Sequence, residues 1–292
     1  MSVAGHPGRG FAAAGLLVAA FSLAALSPAA ADDPKELSLD LGQGVKLELV
    51  LVPAGTFTMG ERGLAEEGPL HEVTISKTFY MGKYEVTQEQ YQTLMGSNPS
   101  HFKLGPKNPV ESLSWDKAKE FCAKLGEKTG RGDPKRLKSR WGTLVRLPTE
   151  AEWEYACRAG TRTTYSSGND VESLRKVGWI SPTGEALADA PTKPVGSFLP
   201  NAFGLYDMHG NVYEWCQDWF DPTFYANSPK VDPVNLKEFV PPGRKEAEPV
   251  LRGGSAGSPP GKARAAYRNH YNRIGKHTIG FRVVVEAASG GK

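Results

Sequence analysis

Polar and apolar positions alternate over Val45-Lys-Leu-Glu-Leu-Val-Leu-Val52 and then turn fully apolar before Pro53, which predicts a strand. Phe57–Gly60 predicts a second short strand. His71–Ser76 and Phe79–Glu85, rich in β-branched and aromatic residues, predict two more. The period then changes to that of helices. Thr87-Gln-Glu-Gln90 is a capping box opening a helix to about Met95. Ser114 caps a second helix with Trp115, Ala118, Phe121, Cys122 and Leu125 on one face. Thr149-Glu-Ala-Glu152 is another capping box, with Trp153, Ala156 and Cys157 on the inner side and Gly160 as the stop. Residues 161–200 read as irregular, because Pro182, Pro191, Pro194 and Pro200 forbid long elements. Residues 228–249 read as a polar, proline-rich insertion. Val250–Ser255 and Gly280–Glu286 read as a closing strand pair around a looped segment. No internal repeat is visible, so one domain is expected over residues 45–287, with 288–292 as a tail.

The first residues follow another pattern. Arg9 precedes an apolar run from Phe11 to Leu26, and Ala29-Ala30-Ala31 offers small residues for cleavage before Asp32. Residues 1–31 are therefore expected to be a secretory signal peptide, too short in its apolar run for a bilayer span, with 32–44 as a polar lead-in. The product is expected outside the cytoplasm, periplasmic or extracellular, with no later membrane span. The chain has 292 residues and a formal net charge of +3. Without Arg9 the charge falls to +2, which argues against a nucleic-acid partner. Cys122, Cys157 and Cys216 allow at most one bridge, and none has redox spacing. Their place on buried helix faces favours small core residues for Cys122 and Cys157. The basic stretch 130–146, with Arg131, Lys135, Arg136, Lys138, Arg140 and Arg146 against Asp133, reads as a surface loop.

Candidate chemistry concentrates in residues 199–219, where Phe203, Tyr206, Tyr213, Trp215 and Trp219 alternate with Asp207, Asn211, Glu214 and Asp218. So many polar groups among rings suggest a loop whose oxygens converge. Asp207, Gly210, Asn211 and Glu214 lie close enough to serve one hard cation, and an aromatic turn with solvated carboxylates is the competing reading. Gly253-Gly-Ser-Ala-Gly257 has the G-x-S-x-G form. Pro259 and Pro260 oppose the helix that a nucleophile elbow needs, so a serine hydrolase is not expected. His209, His270 and His277 read as loop histidines satisfied by backbone partners. Arg264, Tyr267, Arg268, His270, Tyr271 and Arg273 interleave cations and aromatics. They form either a solvated face or a recognition surface for an anionic or peptide ligand.

Seven stretches in this order resemble the sulfatase-modifying-factor family of the formylglycine-generating enzymes. They are Val52–Gly60, Glu85–Tyr91, Pro109–Trp115, Arg146–Ala156, Asn201–Trp215, Leu251–Ser255 and Gly280–Arg282. The resemblance implies an α+β, C-type-lectin-like fold with little regular secondary structure. It also implies a structural Ca²⁺ held by the side chains of Asp207 and Glu214 and the carbonyls of Gly210 and Val212. Formylglycine-generating enzymes oxidise a client cysteine with O₂ and a copper ion held by two cysteines just beyond the Arg-Gly-Gly-Ser motif. Here Ser255–Arg264 contains no cysteine, and Ser258 cannot supply the thiolate a soft copper site requires, so bound copper is not expected. Two readings stay open. One is an exported, calcium-stabilised member without copper chemistry, which as an enzyme would be an oxidoreductase acting on a peptide or small molecule. The other is a non-catalytic lectin-like module that binds a polypeptide or glycan through a groove near Ser255, Ser258, Arg268, His270 and Tyr271.

Overall fold

The structure, a computed structural model, describes Met1 and residues 34–131 and 144–287. The expected signal peptide, most of the basic loop and the tail lie outside these residues. Strands β1 (Glu36–Gly42), β2 (Val45–Val52), β3 (Gly55–Met59), β4 (His71–Ile75) and β5 (Phe79–Gly82) come first. Helices α1 (Gln88–Met95) and α2 (Trp115–Lys128), strand β6 (Val145–Arg146) and helices α3 (Glu150–Arg158) and α4 (Val171–Val177) follow. Strand β7 (Tyr213–Trp219), the short helix α5 (Phe224–Asn227) and strands β8 (Pro249–Arg252), β9 (Asn269–His270), β10 (Ile279–Gly280) and β11 (Val284–Glu286) complete the order.

The strands form three sheets. The first runs β1-β2-β5-β11-β6 and is antiparallel throughout. The second runs β10-β7-β8-β9, with β10 parallel to β7, and β3 and β4 make a separate hairpin. The helices start where their caps demand. The Thr87 and Thr149 hydroxyls accept from the amides of Gln90 and Glu152, whose side chains accept from the cap amides in return. The Ser114 side chain accepts from Lys117 N. All three cysteines are free and buried.

Five segments differ from the sequence reading. The supposed lead-in pairs as β1, because Leu39 and Leu41 alternate inward against β2. The strand expected over Phe79–Glu85 stops at Gly82, and Glu85 turns into the core instead. The irregular 161–200 region contains α4, capped by Asp170. The expected closing pair falls in two different sheets, β8 in the second and β11 in the first. The aromatic stretch contains a central strand, β7, with neighbours on both edges.

Candidate functional site

Asp207, Gly210 and Asn211 all have left-handed backbone (φ 59°, 109° and 64°), so the loop before β7 coils tightly and turns its groups inward. Gly210 N donates to Gly253 O and Asn211 N to Trp179 O, both at 2.8 Å. Glu85 reaches this loop from across the chain. Its carboxylate accepts from Val212 N at 3.0 Å and Asn211 Nδ2 at 2.6 Å. Arg282 donates to both oxygens of Glu214 at 2.7 Å, and Trp153 Nε1 donates to Glu214 Oε2 at 2.8 Å. Glu85, Asp207 and Glu214 are thus three buried carboxylates beside one buried guanidinium. Burial pushes the Glu85 carboxyl well up, with Asp207 and Glu214 adding to it. Burial also lifts Asp207 to about 6.

These residues fit the calcium that the family resemblance implies. Retained protons on Glu85 and Asp207, or a bound cation, would offset the excess of carboxylates over the one guanidinium. A carboxylate offers about four acceptor positions; Arg282 and Trp153 take three on Glu214, which leaves one on Oε1. Asp207 Oδ2 accepts from Gly196 N at 2.7 Å. Among the described residues no three His, Cys, Asp or Glu side chains are arranged to hold a metal, so an ion here would need backbone carbonyls and water beside the side chains, as a hard cation accepts.

A second buried network lies behind this loop, and local sequence reasoning missed it. Arg252, fully buried, donates to Glu150 at 3.1 Å and Glu154 at 2.7 Å. It also donates to the carbonyls of Ala265 and Ala266. Arg268 donates to both oxygens of Glu150 at 2.7 and 2.9 Å, and Arg158 pairs with Glu154 at 2.9 Å. Burial opposes the charge on Glu150, but Arg268 and Arg252 outweigh it and hold the carboxyl below its usual range. The only trace in the sequence is the spacing of Glu150 and Glu154 on one helix face, which says nothing about partners a hundred residues away.

Asp218 joins this network at its edge, accepting from the amides of Glu150 and Asn235 at 2.8 Å. Burial, with the negative Glu150 next, lifts its carboxyl from 3.8 to about 7. The folded state therefore holds a proton that the unfolded chain releases between those two values. Its contribution is complete below pH 3.8 and lost as pH rises to about 7, up to about 4 kcal/mol. Melting curves of wild type and Asp218→Asn should accordingly move in favour of the variant as pH rises from 5 to 8. Parallel pH profiles would contradict the assignment.

The expected groove residues do not line an open groove. Ser255 and Ser258 are buried, and their hydroxyls lie 3.1 Å apart. Ser258 Oγ also donates to Tyr213 Oη at 3.3 Å. The 181–190 loop covers this segment, with Leu187 N on Gly257 O and Ser181 N on Ser258 O. Arg268, expected on a recognition face, is 2% exposed and belongs to the core network, because Glu150 claims it. His270 stacks on Phe220 at 4.0 Å and donates from Nδ1 to Glu248 at 2.5 Å. Tyr271 keeps partial exposure. Of the other histidines, His277 bonds to Ala188 O. His209 donates to Ala263 O, while its Nε2 accepts from Ser166 N and sits 3.6 Å from Cys157 Sγ. Burial drops His209 to about 4 and lifts Cys157 to about 12, so this pair is a neutral imidazole and a thiol.

Residues 42–287 match the family model of the sulfatase-modifying factor enzyme 1-like domain. The chain belongs to the sulfatase-modifying-factor family. It is 34% identical over 243 residues to the chaperone protein LppX of Paenibacillus barcinonensis, a match covering 68% of this chain and 84% of that one. It is 29% identical over 300 residues to the formylglycine-generating enzyme of Mycobacterium tuberculosis, covering 83% and 99%. Against the serine/threonine-protein kinase pkn1 of Chlamydia pneumoniae it is 32% identical over 270 residues, but it spans only 38% of that longer protein. Among solved structures, PvdO from Pseudomonas aeruginosa superposes with a TM-score of 0.71 at 30% identity, covering 88% of this chain and all of that one. These likenesses bear out the expected α+β, C-type-lectin-like fold. No described helix is long and apolar enough to cross a membrane.

Proposed function

We propose that this member of the sulfatase-modifying-factor family is exported, is stabilised by calcium, and binds a polypeptide without copper–cysteine oxidation. One observation carries the reading. The segment where family enzymes hold copper has no thiol, and its Ser255 and Ser258 hydroxyls are spent on each other and on Tyr213 beneath a covering loop. The cysteines elsewhere are buried, and burial raises all three thiols, away from the thiolate that copper needs. The polypeptide reading draws further support from the chaperone LppX, similar over most of its own length. Export rests on Arg9, the apolar run and Ala29–Ala31.

Protein beginning at Asp32 should be incubated with a Cys-x-Pro-x-Arg peptide, copper and O₂, and the peptide weighed by mass spectrometry. No aldehyde and no retained copper are expected, with the peptide or an unfolded client still bound. Conversion to the aldehyde would sink the proposal and restore the oxidase reading.

The calcium ligands in this reading are the side chains of Asp207 and Glu214 and the carbonyls of Gly210 and Val212. An ion bound only by the native state raises the melting temperature. Chelation is therefore expected to lower it in wild type, and calcium but not magnesium should restore it. An unchanged melting curve would remove calcium from the proposal.

A further inference from the structure

Residues 182–189 cross the surface without helix or strand, and every one of them except the half-buried Gly184 is exposed, Leu187 included. The two ends are fixed. Ser181 and Ala190 are buried, Ser181 N donates to Ser258 O at 3.0 Å, and Trp179 Nε1 donates to Pro191 O at 2.9 Å. Between these ends the ties to the rest of the domain are polar. Leu187 N donates to Gly257 O at 2.8 Å, His277 Nε2 to Ala188 O at 2.7 Å, and Arg175 Nη2 to Pro182 O at 3.1 Å. Asp189 lies 3.6 Å from His277 and 3.9 Å from His101. A segment held by exposed hydrogen bonds, with no buried side chain of its own, opens at little cost in free energy.

The seat of this loop has a particular shape. The Leu187 backbone lies directly on Gly257: a Cβ added to Gly257 would stand 2.1 Å from Leu187 O and 3.1 Å from its carbonyl carbon. Main chain therefore meets main chain, amide to carbonyl, as when an extended peptide docks on another backbone. Beside this contact Ser255, Ser258 and Tyr213 are joined through their hydroxyls. The seat thus offers a carbonyl and neutral hydroxyls, with no charge to select one side chain over another. It suits the backbone of a polypeptide whatever its sequence.

We infer that residues 182–189 are a lid, and that the Leu187 main chain occupies in the closed state the place a polypeptide takes in the open one. The inference rests on the polypeptide reading above and adds its regulation. Opening frees Gly257 O, and an amide of the incoming chain replaces that of Leu187. Only the open fraction binds, so the apparent affinity is reduced by that fraction. His277 is the latch, through Ala188 O and Asp189.

Gly257→Ala tests this, because the added Cβ collides with the closed lid while the Gly257 backbone itself is not left-handed. Gly261→Ala is the control, with no atom within 4 Å of its new Cβ. Wild type and both variants, each beginning at Asp32, are compared in two measurements. One is cleavage after Glu185 by glutamyl endopeptidase, which follows the open population. The other is binding of reduced, carboxymethylated lactalbumin, a chain that stays unfolded. Gly257→Ala should raise the cleavage rate and the affinity by the same factor, about tenfold or more, with Gly261→Ala matching wild type. Equal cleavage in all three proteins overturns the lid. Faster cleavage with unchanged binding overturns the gating and leaves the polypeptide reading standing, whereas no binding by any of the proteins sinks that reading and the gating with it. His277→Ala, which removes a bond from the lid without crowding it, should move both quantities in the same direction, and it decides the matter if Gly257→Ala does not fold.

Discussion

Replacing Arg252 with methionine is expected to lower the melting temperature by about 6–20 °C. The substitution keeps most of the side-chain volume and leaves the stacking face against Trp153 filled, so the loss is one of charge. Without the guanidinium, Glu154 keeps Arg158 and the Gly60 amide and Glu150 keeps Arg268, with both carboxylates still buried. The carbonyls of Ala265 and Ala266 lose a donor as well. Breaking a buried pair by removing one partner costs about 3–5 kcal/mol, mostly because the remaining charge stays buried. Each kcal/mol is worth about 2–4 °C in a domain of this size. Lys117→Met is the matched control. It breaks the exposed pair with Glu120, and exposed pairs contribute about 0–1 kcal/mol. Calorimetry on both variants decides the matter: equal losses would mean that the Arg252 network contributes no more than a surface pair.

Gly210→Ala is expected to prevent folding of the loop before β7, giving insoluble protein or a melting temperature lower by at least about 10 °C. Two effects add. The residue sits at φ 109°, where a side chain is strained. The new Cβ would also lie 2.1 Å from the Trp179 carbonyl oxygen and 2.7 Å from its carbon, which are backbone atoms and cannot swing aside. Gly184→Ala separates the two effects, since its φ is 79° and no atom lies within 4 Å of the added Cβ. That variant should lose only the conformational penalty, about 1 kcal/mol. Circular dichroism melts of the two proteins would show comparable losses if the close approach at Gly210 were unimportant.

Local signals carried the sequence reading well where the structure is local. The capping boxes at Thr87 and Thr149, the cap at Ser114, and the alternation over Val45–Val52 each specify their element within a few residues, and each forms. The family motifs were legible for the same reason. Strand β7 was not, because carboxylates such as Glu214 and Asp218 among the rings read as a loop with converging oxygens. Their partners, Arg282 for one and the amides of Glu150 and Asn235 for the other, are remote in the chain. Arg268 looked like a surface cation beside aromatics for the same reason: Glu150, which buries it, is 118 residues earlier. The supposed groove at Ser255 and Ser258 failed on a different ground, since only the fold shows that the 181–190 loop lies over it. Charge pairing over long separations leaves no periodicity to read.

The position of β11 between β5 and β6 has a bearing on how the chain is made. Residues 284–286 reach the ribosome exit long after both neighbours have been synthesised, and until then the first sheet is two separate pieces. The Arg282 that neutralises Glu214 arrives in the same late segment. A chain stopped short of it leaves Glu214 without its guanidinium partner. Closure of the first sheet therefore waits on β11 rather than growing strand by strand from β1.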